Sequence, residues 1–463
     1  MPPADHRTAV VWFRRDLRLA DQPMLIAAAE RASRALAVFV LDPVLLGPSG
    51  TARTAFLYGC LRELGESLRG RLLIVRGEPA QVVRQVASAV NAGSVHVAAD
   101  YGPYGTRRDQ QVSEALNARG VELVSTGSPY AVAPGRVHTG NGERFKVFTP
   151  FRRAWLDHGW PHPAQTGAGT LRWIDPADVG VERADVPSAD SPARLPEPGE
   201  RAALRAWRSF VDDQLADYGS ERNRPQPVGS SQMSPYLKFG CIHPRTMLAD
   251  LSDGRRAGVA AYRSELAWRE FYADVLFHRP ETARRNYDKA FDVLPTASGV
   301  AAERAFAAWC DGRTGFPIVD AGMRQLKAEG WLPNRIRMVT ASFLVKDLHL
   351  PWRWGARHFM RLLVDGDLAS NQHNWQWVAG CGTDAAPYFR IFNPTTQGER
   401  FDPDGDYVRT WVPELAHVPG KAVHQPWKLS RGEAGDYPAP MVDHAEERQE
   451  ALAAYDLVKA ARG

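Results

Sequence analysis

Five short apolar, β-rich runs stand out in the first 126 residues: 9–13 (AVVWF), 35–41 (ALAVFVL), 71–75 (RLLIV), 94–98 (SVHVA) and 121–125 (VELVS). Between them, over 23–32, 53–68, 79–90 and 107–118, apolar residues recur with the period of a helix. Strands alternating with helices predict a parallel, helix-covered sheet. The runs are apolar throughout rather than alternating, which suits burial on both faces. Asp21 is placed to cap the first helix, with Pro23 in its first turn.

The pattern changes after 126. Residues 185–200 (DVPSADSPARLPEPGE) hold four prolines in sixteen positions and predict a linker over the surface. From 201 the periodicity is helical, over 201–217, 261–277, 302–310, 317–329 and 334–348, and the tail after 440 reads as one short amphipathic helix. The expected fold is an α/β N-terminal domain with a parallel five-stranded sheet (1–130), a linker (131–200) and an all-α domain (201–463). Ten of the fourteen tryptophans lie in the helical part, so its interior carries more than packing aliphatics.

Composition narrows the partners. A chain of 463 residues exceeds one compact core. No apolar run reaches membrane-spanning length, and MPPADHRTAVVWF does not read as a signal peptide. Cys60, Cys241, Cys310 and Cys381 are far apart in sequence with no CxxC spacing, so no zinc site, other metal centre or disulfide framework is expected, and a reduced cytoplasm fits. The net charge of +4 is divided as +3 over 1–130, −1 over 131–200 and +2 beyond. Any nucleic-acid contact must therefore use a local basic patch. Arginine outnumbers lysine 49 to 8, which suits phosphate recognition but follows as readily from base composition.

Dinucleotide fingerprints, Walker loops, zincin motifs and nucleophile elbows are absent. The sheet alone suggests only a nucleotide-like ligand at its strand C-termini. The informative stretch is 331–400. There Asn334, Arg337 and Met338 share a helix face, and Arg337 can pair with Asp365 or Asp367. Asn371, Trp375 and Trp377 lie within two turns. Each has a plain structural reading: a buried ion pair for Arg337, core packing for the indoles. Yet so dense a polar and aromatic cluster is costly to bury for stability alone. In ELAWREFY (265–272), Glu265 and Trp268 share a face, and Glu265 can simply pair with Arg269 four residues on. The Ser230–Ser234 loop enters a helix at Ser234-Pro235, where hydroxyls and free N–H groups can hold a phosphate.

At these residues the chain resembles class I photolyases of the cryptochrome/photolyase family. The likeness rests on WFRRDLRLAD (12–21), SSQMSPYLKFG (230–240), ELAWREFY, TGFPIVDAGMRQL (314–326), NRIRMVTASFLVKDL (334–348), DGDLASNQHNWQW (365–377) and FRIFNPTTQGERFD (389–402). It implies light-driven repair of cyclobutane pyrimidine dimers in DNA by electron transfer from FAD to a flipped-out dimer. FAD would be held by Tyr218, Ser230, Ser231, Gln232, Met233, Ser234, Arg337, Asp365, Gly366 and Asp367, with Asn371 beside the flavin ring. The dimer pocket would use Glu265, Trp268, Asn334, Met338 and Trp377, with Arg222, Arg335 and Gln397 towards DNA. The loop reads SSQMS where the family has TSxLS. Trp375 and Trp352 match the two inner members of the family's electron relay, but 290–306 has no tryptophan for the outer one, which leaves Trp354 as a substitute exit. For the antenna, Phe39, Arg53, Asp100 and Lys238 match 8-hydroxy-5-deazaflavin positions, methenyltetrahydrofolate being the alternative.

Rival readings stay open. A plant-type cryptochrome tends to have Asp at the Asn371 position, a (6-4) photolyase has histidines near Asn334 and Met338, and a DASH-type cryptochrome often has Gln at the Met338 position. A non-catalytic nucleotide-binding protein would explain only the first half. DNA is the expected partner of a monomeric cytoplasmic enzyme without an obligate protein partner.

Overall fold

The computed structural model describes residues 8–188, 190–226, 229–251, 257–384, 390–430 and 432–462. The first residues of the N-terminal segment read above for a signal peptide, 1–7, lie outside the described residues, as does Phe389 of the 389–402 motif.

Strands β1 (Thr8–Phe13), β2 (Arg34–Leu41), β3 (Leu72–Arg76), β4 (Ser94–Val97) and β5 (Glu122–Ser125) form one parallel sheet in the order β3-β2-β1-β4-β5. Helices Pro23–Arg31, Thr51–Ser67, Pro79–Ala89 and Pro103–Asn117 make the crossovers, three of them with proline in the first turn, where its missing N–H costs nothing. Successive residues of β1 alternate between two cores. Ala9, Val11 and Phe13 pack with Phe56 and Tyr236, while Val10 and Trp12 pack with Val83 and Val112. That two-sided burial is why the strands read as unbroken apolar runs. The strand order reverses between β1 and β4, so the ends of those strands open onto a switch point.

Asp21 does not cap the first helix. It sits at φ +49, and its carboxylate instead accepts from Arg245, Thr246 and the Ala164 N–H. A buried guanidinium is the stronger partner. The same carboxylate thereby ties the sheet layer to the helical half.

Residues 131–184 are not extended coil. The helix Phe148–His158 buries Phe148, Phe151 and Trp155 against the long helix Ala257–His278. Glu270 of that long helix, itself buried, accepts from the Ala131 and Val132 N–H groups and from Trp155 Nε1. Further on, Ala35 of β2 exchanges backbone hydrogen bonds with Arg172 and Ile174. Among its described residues, the proline-rich 185–200 stretch has no helix or strand until Glu200.

From Glu200 onward the chain is helical, with a second core around Trp309, Phe316, Phe343, Phe359 and Trp375. The helix predicted over 334–348 is regular only over Asn334–Ser342 and widens into a π-turn at Phe343–Asp347. The Thr340 carbonyl accepts from Trp309 Nε1 (3.0 Å) and the Thr340 hydroxyl bonds back to the Ile336 carbonyl (2.9 Å), contacts that disturb the regular ladder. No described helix is long and apolar enough to cross a membrane.

Candidate functional site

A cavity of about 280 Å³ opens in the helical half, walled by the Ser230–Ser234 loop, the helices beginning at Ser234, Asn334 and Leu368, and the Leu363–Asp367 turn. It gathers Tyr218, Ser230, Ser231, Gln232, Met233, Ser234, Arg337, Asp365, Gly366, Asp367 and Asn371, every residue the resemblance assigned to FAD. Glu265, Asn334 and Met338 line the same space.

The deep wall is wired before any ligand arrives. Arg337 pairs with Asp365, not Asp367, through both terminal nitrogens (2.7 and 3.3 Å). Asp365 Oδ2, which takes the shorter Arg337 bond, also accepts from Ser234 (2.6 Å), whose hydroxyl in turn receives Trp331 Nε1 (3.2 Å). Asp367 accepts from Arg15 (2.8 Å) and caps the helix Leu368–Ala379 through the Ser370 N–H. Burial opposes the charge on Asp367, but Arg15, Lys238 and Arg269 outweigh it and hold the carboxyl well below its usual range. Gln232 takes a left-handed conformation (φ +49) that turns the serine loop towards Ser234. Asn371 spends both amide hydrogens on the Ala356 carbonyl (3.1 Å) and on Gln372 Oε1 (2.8 Å). Its carbonyl oxygen is left for the cavity, where it suits a ring N–H donor.

The opposite wall is looser. Glu265 does not pair with Arg269, which turns instead to the Pro129 and Leu237 carbonyls and lies over Tyr130. Its partner is Arg222 (2.6 Å). Burial raises the Glu265 pKa, and Arg222 opposes the rise. Among the described residues the Asn334 side chain hydrogen-bonds Met338 Sδ, at 3.7 Å, confirming that they share a face. Trp268 and Trp377 are half-buried and do not line the cavity. Arg335 bonds Asn223 and lies over Phe401, and burial, then Arg400, Arg222 and Arg390, hold its pKa down. Arg222, Arg335, Arg390 and Arg400 thus lie near one another. Gln397 lies on the helix Pro394–Phe401 with a buried oxygen that has no hydrogen-bond partner among the described residues.

Sequence reasoning missed Phe148. Its ring stacks on Trp268 at 3.7 Å between centroids and 9° between planes. Nothing local marks it beyond an aromatic at the start of a helix.

Trp375 lines the cavity and meets Phe359 at 5.0 Å and Trp309 at 6.2 Å. From Trp309 the rings continue through Phe306 (5.8 Å) to half-buried Trp354 (5.3 Å). Trp352 is buried, donates to Asn286 (2.8 Å) and lines a separate cavity of about 310 Å³.

The four antenna residues do not line one cavity. Lys238 faces the 280 Å³ cavity near Asp367, Arg53 is held by the Met360 and Leu363 carbonyls, and Asp100 accepts from Arg108. Phe39 lies within β2, in the core. The space beside Asp100, past the ends of β1 and β4, is about 10 Å³, enough for about one water and too small for a tricyclic ring.

Two cysteines far apart in sequence meet. Cys60 and Cys241 are buried free thiols with sulfurs 3.5 Å apart. Among the described residues, His349, Glu447 and Glu450 bring ligand-type atoms within 4.8 Å of one another.

Comparison with known proteins agrees with this architecture. The family described as "DNA photolyase" matches residues 9–168, and "FAD binding domain of DNA photolyase" matches 262–457. A deoxyribodipyrimidine photo-lyase of Streptomyces griseus is 44% identical, over 95% of this chain and 97% of its own length. A bacterial class III photolyase from Agrobacterium tumefaciens superimposes with a TM-score of 0.90 at 36% identity, covering 99% of this chain and 98% of the other. An archaeal photolyase from Sulfolobus tokodaii, solved with two FAD molecules, gives 0.85 at 30% identity over 97% and 99% of the two chains.

Proposed function

This chain belongs to the DNA photolyase family, and on that premise we propose that it repairs cyclobutane pyrimidine dimers in DNA under light, with FAD in the 280 Å³ cavity. One observation carries the reading. The residues suited to a flavin and those suited to a flipped-out base pair, Glu265, Asn334 and Met338, share one continuous cavity.

Bound there, FAD would supply the light-driven electron chemistry of repair. The protein's own residues do the rest. The Arg337–Asp365–Ser234 set and the Asp367–Arg15 pair hold the cofactor wall rigid. Asn371 offers an oxygen to a ring N–H without adding charge. Glu265 and Asn334 hydrogen-bond base edges, and binding must draw Glu265 away from Arg222 or take both together. Trp268 and Trp377 offer flat apolar surfaces to unstacked bases. Arg222, Arg335 and Gln397 face the DNA backbone. Trp375 passes electrons towards the flavin, with Trp352 or Trp354 beyond it. The enzyme acts as a cytoplasmic monomer. For the antenna we retain 8-hydroxy-5-deazaflavin, with methenyltetrahydrofolate as the alternative; either requires the seam beside Asp100 to open.

The test is to irradiate the reduced protein with a thymine-dimer oligonucleotide and follow recovery of thymine absorbance. Recovery in light and not in darkness is expected; none, with FAD bound and reduced, overturns the reading. The protein's absorption spectrum reports the antenna as an intense band beyond those of flavin.

A further inference from the structure

The C-terminal helix His444–Ala460 carries Glu447, Glu450, Ala451 and Ala454 on one side, at spacings of three and four. Ala451 and Ala454 line the cavity of about 310 Å³ that Trp352 also borders. His349 lines it too, from the loop between the π-turn Phe343–Asp347 and the helix Trp352–Leu362. His349 Nε2 meets Glu447 at 2.7 Å, and ligand-type atoms of His349, Glu447 and Glu450 all lie within 4.8 Å of one another. Like charges one turn apart on a helix repel unless a cation joins them. His349 answers Glu447, but exposed Glu450 has no hydrogen-bond or ion-pair partner among the described residues. A second carboxylate points the same way. Asp347 is 1% exposed, and its Oδ1 pairs with His444 Nδ1. Its Oδ2 is buried without a hydrogen-bond partner among the described residues, which is costly for an anionic oxygen. Asp347 lies near the same groups: burial raises its pKa, His444 and then His349 oppose the rise, and Glu447 adds to it. His349 itself sits at φ +50, an uncommon conformation that histidine adopts more readily than most residues.

We propose that His349, Glu447 and Glu450 bind one divalent cation of the zinc type, with buried Asp347 behind them, and that the ion pins the C-terminal helix to the loop leading into Trp352. One imidazole and two carboxylates suit zinc, whereas calcium and magnesium favour oxygen ligands throughout. Three protein ligands leave a fourth position for water, and the cavity beside His349 gives it room. Tetrahedral bonds of about 2.0–2.2 Å would set the ligand atoms about 3.4 Å apart. The cation therefore takes the place of the proton that joins His349 Nε2 to Glu447, those two atoms part slightly, and Glu450 draws in. Its charge also offsets the buried Asp347 carboxylate. Cysteine spacing gives no hint of such a site, because no cysteine takes part and His349 and Glu447 stand 98 positions apart. The inference is independent of the lesion chemistry, since none of these residues lines the 280 Å³ cavity.

The experiment titrates untagged, FAD-loaded protein, first treated with a chelator, with Zn²⁺ by calorimetry. A parallel titration uses Co²⁺, whose visible bands report tetrahedral coordination. The variants are Glu450→Gln, His349→Asn and, as a control, His417→Asn. Glu450 is exposed, so its substitution does not threaten the fold, and asparagine tolerates the positive φ at 349. Exposed His417 stands outside the cluster. Wild type and His417→Asn should each bind one equivalent of zinc. Glu450→Gln and His349→Asn should weaken that binding at least about tenfold. Saturating zinc should raise the melting temperature and slow tryptic cleavage after Arg448, and both gains should vanish in the two cluster variants. A wild type that binds no zinc overturns the site, as does unchanged affinity in Glu450→Gln or His349→Asn. Mg²⁺ binding as tightly as Zn²⁺ overturns the assignment to a zinc-type ion. Bound zinc that leaves cleavage after Arg448 unchanged overturns the pin.

Discussion

On the Asp365–Asn371 side of the cavity nearly every polar group already has a partner. Asp365 holds Arg337 and Ser234, Asp367 holds Arg15 and caps a helix, and Asn371 has spent both amide hydrogens. On the Glu265–Met338 side Asn334 touches one sulfur and Glu265 one arginine. A cofactor that stays bound rewards a wall organised once. A substrate that must enter and leave is served by groups whose hydrogen bonds can be exchanged for the ligand's, while the apolar surfaces stay fixed. The difference predicts that damage to the first wall costs the cofactor and damage to the second costs only recognition.

The sharpest way to break that contrast is Asp365→Ala. It leaves Arg337 and Ser234 without their shared acceptor, a loss of about 2–4 kcal/mol, less than for a wholly enclosed pair because Arg337 is partly exposed. The purified variant should carry little or no flavin, read as the ratio of flavin to protein absorbance. A full complement of FAD would mean that the deep wall is not the cofactor's.

Next in size is Trp375→Phe, which removes the indole that lines the cavity. Most photoreduction of the oxidised cofactor should be lost, while repair by chemically reduced enzyme stays largely intact. Trp354→Phe should slow photoreduction as well, because the rings run unbroken from Trp375 through Trp309 and Phe306 to Trp354. Flavin bleaching under blue light with a thiol donor measures both. Wild-type bleaching in Trp375→Phe removes it from the relay, and wild-type bleaching in Trp354→Phe leaves Trp352 as the route.

Much of this arrangement was legible in the chain because it is written in local patterns. The strands are continuous apolar runs, and Asn334 and Met338 sit four apart on one helix. What was not legible depends on partners remote in sequence. Asp21 looks like a helix cap until Arg245 arrives, and Glu265 looks paired with Arg269 until Arg222 proves nearer. Cys60 and Cys241 lie 181 positions apart and meet only because the sheet layer packs on the helical half. Phe148 carries no local mark, since its role lies in the ring it covers. Spacing rules reach one helix face or one turn and stop there.

Trp268→Ala probes the lesion wall more gently. It should weaken binding to dimer-containing DNA by about 1–3 kcal/mol, and binding to undamaged DNA by less. The cofactor should remain fully loaded, because Trp268 does not line the cavity. A filter-binding or fluorescence titration on both DNAs decides it. Loss of flavin in this variant would erase the distinction between the walls.

The smallest expected effect concerns how the lesion wall is anchored. Lys346 is buried in the π-turn and donates to the Arg390 carbonyl at 2.5 Å, and Arg390 lies over Trp377. Burial pushes the Lys346 pKa down to about 7 from 10.5, with Cys381 and Asp347 opposing the fall. In the unfolded chain the amine keeps its proton up to about 10.5, while in the folded protein it releases it near 7. Between those values the unfolded state binds more protons, so stability rises with pH across that window. Below pH 7 both states are protonated, and the cost of the buried charge is full and constant. Lys346→Met removes the titration. Wild type minus variant stability should therefore be flat below about pH 7 and climb from there towards pH 10, by no more than about 1.4 kcal/mol per pH unit. Urea unfolding of both proteins between pH 6 and 10 measures it. A difference that stays level, or falls, would show that Lys346 keeps its charge in the folded state through partners that offset burial. The Trp377 environment, read by fluorescence at pH 8, should shift in the variant while the flavin spectrum does not, because Lys346 reaches Trp377 through Arg390 and does not line the 280 Å³ cavity.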